Sequence, residues 1–195
     1  MKVLSLGIKP SPLKSILEKN NCKVIEQTDP IDLEFFNRSK VDFAVSYRFR
    51  HIIRKPIIEH LKGNIINLHI SLLPWNRGAD PNLWSFLENT PKGITIHYID
   101  DGIDTGDIIA QKQLFFDENK ETLASTYEKL NDEIIKLFEK IWPLIMHGKS
   151  SRHRQPLGGT FHRTRDKEPF ENLLKDLSWN TPVKQLIGKA TLPGR

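Results

Sequence analysis

"VDFAVSYRFRHIIRKPIIEHLKGNIINLHIS", residues 41–71, decides the fold. "VDFAVSYRF" (41–49) reads as an apolar strand. "KPIIEHLKGN" follows as a helix that Gly63 stops, and "IINLHIS" (65–71) is a strand again. Strand, helix and strand in so short a span form a βαβ unit, which sets the two strands parallel. The same alternation lies upstream. "KVLSLG" (2–7) is a short strand of the buried type and "KVIEQT" (23–28) a second strand. "SPLKSILEKNN" is a helix with Leu13, Ile16 and Leu17 on one face and Ser11 as its N-cap, and "PIDLEFFNRSK" is a second short helix. The expected fold class is α/β, with a Rossmann-like, mostly parallel sheet.

Downstream the pattern changes. "PNLWSFLENT" reads as a helix. "GITIHYID" (93–100) and "DIIAQKQLFF" (107–116) are strands joined by "DGIDTG", as a hairpin or as two strands bent around a loop. A long amphipathic helix follows, with Leu123, Tyr127, Leu130, Ile134, Leu137, Phe138 and Ile141 at helical spacing. Pro143 is expected to end or kink it. The remainder is rich in Gly, Pro and Arg, with one more short helix near "EPFENLLKDL". The expected organisation is one domain over 1–148 and a short extension over 149–195 that packs on it. The apolar stripe of the long helix, or the strand at 107–116, offers either ordinary core or a homodimer surface, and core is the simpler reading.

The chain has 195 residues, 38% hydrophobic and 27% charged, which is the composition of a globular domain. Cys22 is its single cysteine, so no intrachain disulfide and no cysteine metal cluster can form. No stretch reads as a signal peptide or a bilayer span, and a cytoplasmic location is expected. Much of the +5 net charge sits in "KSSRHRQPLGGTFHRTRDK" (149–167). That concentration favours a local anionic ligand over a grip on nucleic acid.

Ligands of open parallel sheets bind beyond the carboxyl ends of the strands. "NLHIS" and "SYRFRHII" both lie at such ends. Asn67 and His69, two apart on a strand, share one face. An amide donor and an imidazole aimed at one point suit a developing oxyanion. Asp104, in the loop after the next strand, is placed to orient the imidazole. An isolated N-x-H by itself favours a structural reading, with Asn67 capping the strand end. No G-x-S-x-G elbow and no other nucleophile stands out, which favours direct group transfer over covalent catalysis. His69, His97 and Asp104 are a conceivable two-His, one-carboxylate set, but no short metal-binding pair accompanies them and no metal is expected. "WNRGADPNLW" offers Trp75 as a stacking plate and Arg77 as a fork for phosphate or carboxylate. The same stretch also reads as a plain turn before a helix, with Asp80 as cap and Pro81 at the first helical position. In the basic tail, Arg152, Arg154, His162 or Arg163 either reaches a diphosphate or belongs to a solvated arm.

"NLHISLLPWNRGADP" followed by "GITIHYIDDGIDTGDIIAQK" resembles the formyltransferases that use N10-formyltetrahydrofolate. Their signature is N-x-H, then S-L-L-P, then a G-x-(T/S)-x-H strand, then an Asp seven residues beyond that histidine, here His97 and Asp104. The resemblance implies the formyltransferase fold and a catalytic domain over 1–148. It implies N10-formyltetrahydrofolate as co-substrate, with no metal. Asn67 would bond the formyl oxygen, His69 would stabilise the tetrahedral oxyanion, and Asp104 would orient His69 and help relay the amine proton. Arg50, Ile52, Ile53, His97 and Asp100 would line the folate pocket. The acceptor would meet Trp75, Asn76, Arg77, Asp80, Pro81, Asn82 and His162. "GIKPSPLKS" lacks the glycines of the glycinamide ribonucleotide enzyme's phosphate loop, and the chain stops short of the transfer-RNA enzyme's extra domain. The similarity is greatest to bacterial sugar N-formyltransferases, including the tail "GGTFHRTRDKEPF". It implies an amino deoxysugar on a nucleotide, such as a dTDP-4-amino-4,6-dideoxyhexose, as partner, and a role in lipopolysaccharide O-antigen synthesis. Alternatives are formylation of another amine, on methionyl-tRNA or glycinamide ribonucleotide, and a non-catalytic folate or nucleotide-binding module.

Overall fold

The computed structural model describes residues 1–190. In chain order it contains β1 (Lys2–Gly7), α1 (Leu13–Lys19), β2 (Lys23–Gln27), α2 (Leu33–Ser39), β3 (Phe43–Tyr47), α3 (Lys55–His60) and β4 (Ile65–His69). Then come β5 (Arg77–Gly78), α4 (Pro81–Leu87), β6 (Gly93–Tyr98), β7 (Ile108–Gln113), α5 (Leu123–Met146) and β8 (Phe161–His162). A 3-10 segment, Thr164–Leu174, and two short 3-10 turns follow.

Six strands form one sheet in the order β2-β1-β3-β4-β6-β7. β1 pairs in parallel with β2 and β3, and β3 with β4, as the βαβ alternation requires. Every residue of β3 is buried, because a parallel strand covered on both faces needs apolar side chains on both. The second half of the sheet runs differently. Ile99, just past β6, donates to the Ile65 carbonyl at the start of β4 (3.0 Å), so β6 runs against β4. Tyr98 N bonds Asp107 O, and Leu114 N bonds Lys92 O (both 2.9 Å). β6 and β7 are therefore an antiparallel hairpin. The sheet is mostly parallel, with one reversed strand.

The chain separates into two compact units. One comprises Met1–His69, Ile96–Ala110 and Ile135–Arg154, and the other Ile70–Thr95, Gln111–Ile134 and the chain from Gln155. The first unit packs Leu4, Leu6, Phe36, Ala44, Ile57 and Ile65 into one cluster, with Phe49, Ile53 and Ile99 against it. The second packs Leu83, Trp84, Phe86, Leu87, Leu123, Val183 and Leu186 together. No helix among the described residues is long and apolar enough to cross a membrane.

Three local expectations are corrected. Pro143 neither ends α5 nor breaks it, since the helix runs on to Met146. Pro143 lies in the last turn, so its missing N–H removes a single ladder bond, while buried Trp142 and Ile145 flank it. The stop comes later, at Gly148. Its positive φ of 63° lets Lys149 N reach Leu144 O (2.8 Å) and its own N reach Ile145 O (3.0 Å), the paired bonds of a Schellman ending. At α1 the N-cap position falls to Pro12, although Ser11 Oγ still accepts from Leu13 N (3.2 Å). At α4, Asp80 occupies the N-cap position but does not cap. Its backbone is left-handed (φ 50°) and its carboxylate bonds Lys167 Nζ instead (2.9 Å).

Trp142 holds α5 within the first unit. Its ring is fully buried, edge-on to Phe43 at 5.4 Å and tilted against Phe138 at 5.3 Å. Trp142→Ala should lower unfolding free energy by about 3–5 kcal/mol, the usual cost of a large aromatic cavity. A urea titration monitored by circular dichroism measures it.

Candidate active site

β4 carries the first two polar groups. Buried Ile66 and Leu68 point to one face of β4, while Asn67 and His69 share the other face with buried Ile65. The parallel register sets Ser46 of β3 beside Asn67. The loop after β6 supplies the third group. Asp100 Oδ1 accepts from Gly102 N (3.1 Å) and from Thr105 Oγ1 (2.6 Å), which closes the turn. At residue 106 a Cβ would lie 1.9 Å from the Tyr98 carbonyl oxygen, so only glycine lets the loop fold back so closely. The result is Asp104 in a left-handed conformation (φ 54°) facing β4.

The Asp104 carboxylate is 14% exposed and lies among three polar side chains. Asn67 Nδ2 donates to its Oδ1 (3.2 Å), and His97 Nε2 lies 3.4 Å from the same oxygen. His69 Nδ1 is 3.6 Å from Oδ2, an ion-pair distance longer than a hydrogen bond. His97 is therefore built into the cluster with Asn67, His69 and Asp104. Its Nδ1 sits 2.8 Å from the Tyr98 carbonyl oxygen, which only accepts, so that nitrogen carries the proton. Its Nε2 faces both Asp104 and Asn67 Nδ2 (3.3 Å). A neutral His97 takes a hydrogen bond from the amide, whereas a protonated one donates to the carboxylate. With the carboxylate at His69 Nδ1, the Nε2 of His69 is left as the nitrogen that exchanges a proton or donates to an oxyanion.

The start of α3 is tied to the loop that carries Asp104. Lys55 Nζ pairs with Asp101 (2.9 Å), three residues before Asp104, and Asp101 raises the lysine's pKa. Arg50 is exposed, Ile52 is 79% exposed, and Ile53 packs half-buried against the core. Asp100 is committed to the turn. Arg152 pairs with Asp107 (2.8 Å) and stacks over the Tyr98 ring at 4.3 Å.

The remaining sequence candidates belong to the second unit. Trp75 is half-buried. Arg77 begins β5, which pairs in parallel with β8. Asn76 is fully buried. Its backbone N–H donates to Thr160 Oγ1 (2.9 Å), its Oδ1 accepts from Thr90 Oγ1 (2.8 Å), and its Nδ2 lies 3.4 Å from Glu88 Oε2. Asn82 is buried and donates to the Leu123 carbonyl (3.0 Å). Pro81 opens α4. His162 is buried and stacked flat on Trp84, with ring centroids 3.6 Å apart. Its Nε2 is within 3.2 Å of Glu88 Oε2, close enough for an ion pair but not aligned for a hydrogen bond. Asn76 and Asn82 thus spend their amides on the protein itself. Reading the tail by its charges missed the neutral Gln155 and Thr160, which bond the 75–80 turn directly. The glycine pair just before Thr160 is the signal of close approach that points to them.

The α/β sheet thus sets an Asn–His pair at the end of β4 against an aspartate from the following hairpin. The formyl transferase family model matches residues 2–140, and the chain belongs to that family. It is 34% identical over 149 residues to the methionyl-tRNA formyltransferase of Clostridioides difficile (strain 630). That match covers 74% of this chain and 48% of the relative, so the chain spans about half the length of the curated relatives it matches. A solved structure is more similar: the formyltransferase PseJ from Anoxybacillus kamchatkensis, in complex with UDP-4,6-dideoxy-4-formamido-L-AltNAc and tetrahydrofolate. Identity there is 50% and the TM-score 0.92, over 97% of this chain and 100% of that one. A 4-N formyltransferase from Francisella tularensis shares the fold at 22% identity, with a TM-score of 0.78 over 100% of this chain and 89% of that one.

Asn76 is a structural hub, and its loss strands several buried partners. Asn76→Ala should cost about 1–3 kcal/mol of stability for the unsatisfied groups left behind. Thermal melts of variant and parent check it.

Proposed function

We propose that the chain transfers a formyl group from N10-formyltetrahydrofolate to the amine of a nucleotide-linked amino deoxysugar. The observation that carries this reading is Asp104 set against both His69 and Asn67, in a chain half identical to PseJ. PseJ is solved with a UDP-linked 4-formamido sugar, so the acceptor proposed first is the corresponding 4-amine. A cytoplasmic setting and a part in O-antigen synthesis belong to the same proposal, as do a catalytic domain over 1–148 and its extension over 149–195.

In this mechanism the neutral amine attacks the formyl carbon and a tetrahedral oxyanion forms. His69 Nε2–H and an Asn67 N–H stabilise that oxyanion, and Asp104 stabilises the imidazolium. The intermediate collapses by breaking the bond to N10. The amine loses a proton toward Asp104, N10 gains one, and the products are the formamide and tetrahydrofolate. Arg50, Ile52 and Ile53, with the backbone near Asp100, would hold the folate. Trp75 and Arg77 would meet the sugar nucleotide.

The curated relatives give a second reading, in which the amine is carried by methionyl-tRNA. That reading requires salt-sensitive RNA binding, and a filter-binding assay with the charged transfer RNA separates the two.

Activity is measured with N10-formyltetrahydrofolate and the UDP-linked 4-amino sugar, following tetrahydrofolate release and the formamide product. His69→Ala and Asn67→Ala should each lower turnover on the order of a hundredfold or more. His69→Ala formylating at the parent rate would overturn the assignment. The rate should rise with pH as the acceptor amine loses its proton, because only the neutral amine attacks.

A further inference from the structure

We propose that Gln155 is a positioning residue for Arg77, holding its guanidinium in place while leaving its charge uncompensated for the diphosphate of the acceptor. The inference rests on the reading above, in which Arg77 meets the sugar nucleotide.

Arg77 Nε and Nη2 both donate to Gln155 Oε1, at 3.1 and 2.9 Å. Guanidinium groups only donate, so the oxygen of the amide, not its nitrogen, faces the arginine. Two donors on one acceptor fix the plane of the fork and the direction of its remaining edge. The backbone fixes the pair as well. Arg77 N donates to Thr160 O (3.0 Å), Ala79 N to His162 O (2.9 Å) and Asn76 N to Thr160 Oγ1 (2.9 Å). The segment from Gln155 to His162 is thereby laced to the turn that presents Arg77.

The chemistry of the anchor is what distinguishes this pair. Arginines held for structural reasons are commonly met by carboxylates, whose bonds are shorter and stronger. The carboxylates of this turn's surroundings are engaged elsewhere: Asp80 by Lys167, and Glu88 beside His162 and Asn76. No carboxylate is within ion-pair distance of Arg77 among the described residues. An amide anchor gives geometry without neutralisation, which suits an arginine whose charge is kept for an anionic ligand.

This assignment predicts an unusual sign for one substitution. Gln155→Glu keeps the shape and strengthens the contact with Arg77, yet cancels its charge. UDP is the binding probe, by calorimetry, and the UDP-linked 4-amino sugar is the kinetic one. Gln155→Glu should weaken UDP binding and raise the acceptor KM about tenfold or more, as loss of a charge-assisted contact does. The KM for N10-formyltetrahydrofolate should move less than about twofold, and the Tm should hold or rise. Gln155→Ala should raise the acceptor KM by a smaller factor, about threefold, since the charge remains but the fork is free. Arg77→Gln is the control. If it weakens UDP binding while Gln155→Glu binds UDP like the parent, the role of Gln155 is overturned and the acceptor reading of Arg77 stands. If Arg77→Gln leaves UDP binding unchanged, the acceptor reading itself fails. Should Gln155→Glu not fold, an unchanged acceptor KM in Gln155→Ala overturns the proposal instead.

Discussion

The arrangement depends on one half-hidden carboxylate. Asp104 is largely removed from water, and a carboxylate so placed is costly unless donors surround it. Here the Asn67 amide donates to it, and the two imidazoles, His69 and His97, lie within ion-pair distance. Two of the three come from β4 and the third from β6, so the carboxylate can be accommodated only when those strands are paired. The same contacts that offset the cost of burial also orient His69. In this cluster, stabilising the fold and preparing the imidazole are one interaction.

The supporting parts are arranged to bring that carboxylate in. The Asp100 turn and Gly106 force the chain back on itself between β6 and β7. The parallel half of the sheet, buried on both faces, fixes the ends of β3 and β4. Lys55 on Asp101 fastens the start of α3 to the aspartate loop. Each contact is modest, and the exposed ion pair adds little stability. Together they leave Asp104 little freedom to face elsewhere.

Much of this was legible in the chain, for reasons that can be named. β1 and β3 announced themselves because buried parallel strands are largely apolar runs between turns and helices, and β2 and β4 by their alternation with those helices. Asn67 and His69 were legible because a spacing of two on a strand means a shared face. His97 and Asp104 could be grouped from the sequence only as a conceivable metal set, because the contact between them depends on how β6 meets β4. Pro143 misled because proline's local cost was weighed without the buried Trp142 next to it. Asp80 misled because a good capping residue found a lysine 87 positions away. β5 and β8 were invisible, since strands of two residues have no periodicity, and Asn76 meets Thr160 across 84 positions.

That last separation bears on how the protein comes into being. Chains emerge from the ribosome in order, and early segments begin to associate before later ones exist. Every residue of the Asn67, His69, His97 and Asp104 cluster has been made by position 104. The turn carrying Arg77 has its backbone partners only once Thr160 and His162 have been added. For much of translation, then, the Asp104 cluster has all its members while the turn beside it in sequence still awaits its partners. The turn that carries Arg77 is the late-maturing part of this fold, and a stalled or cut chain lacking the 155–162 segment would lose it first.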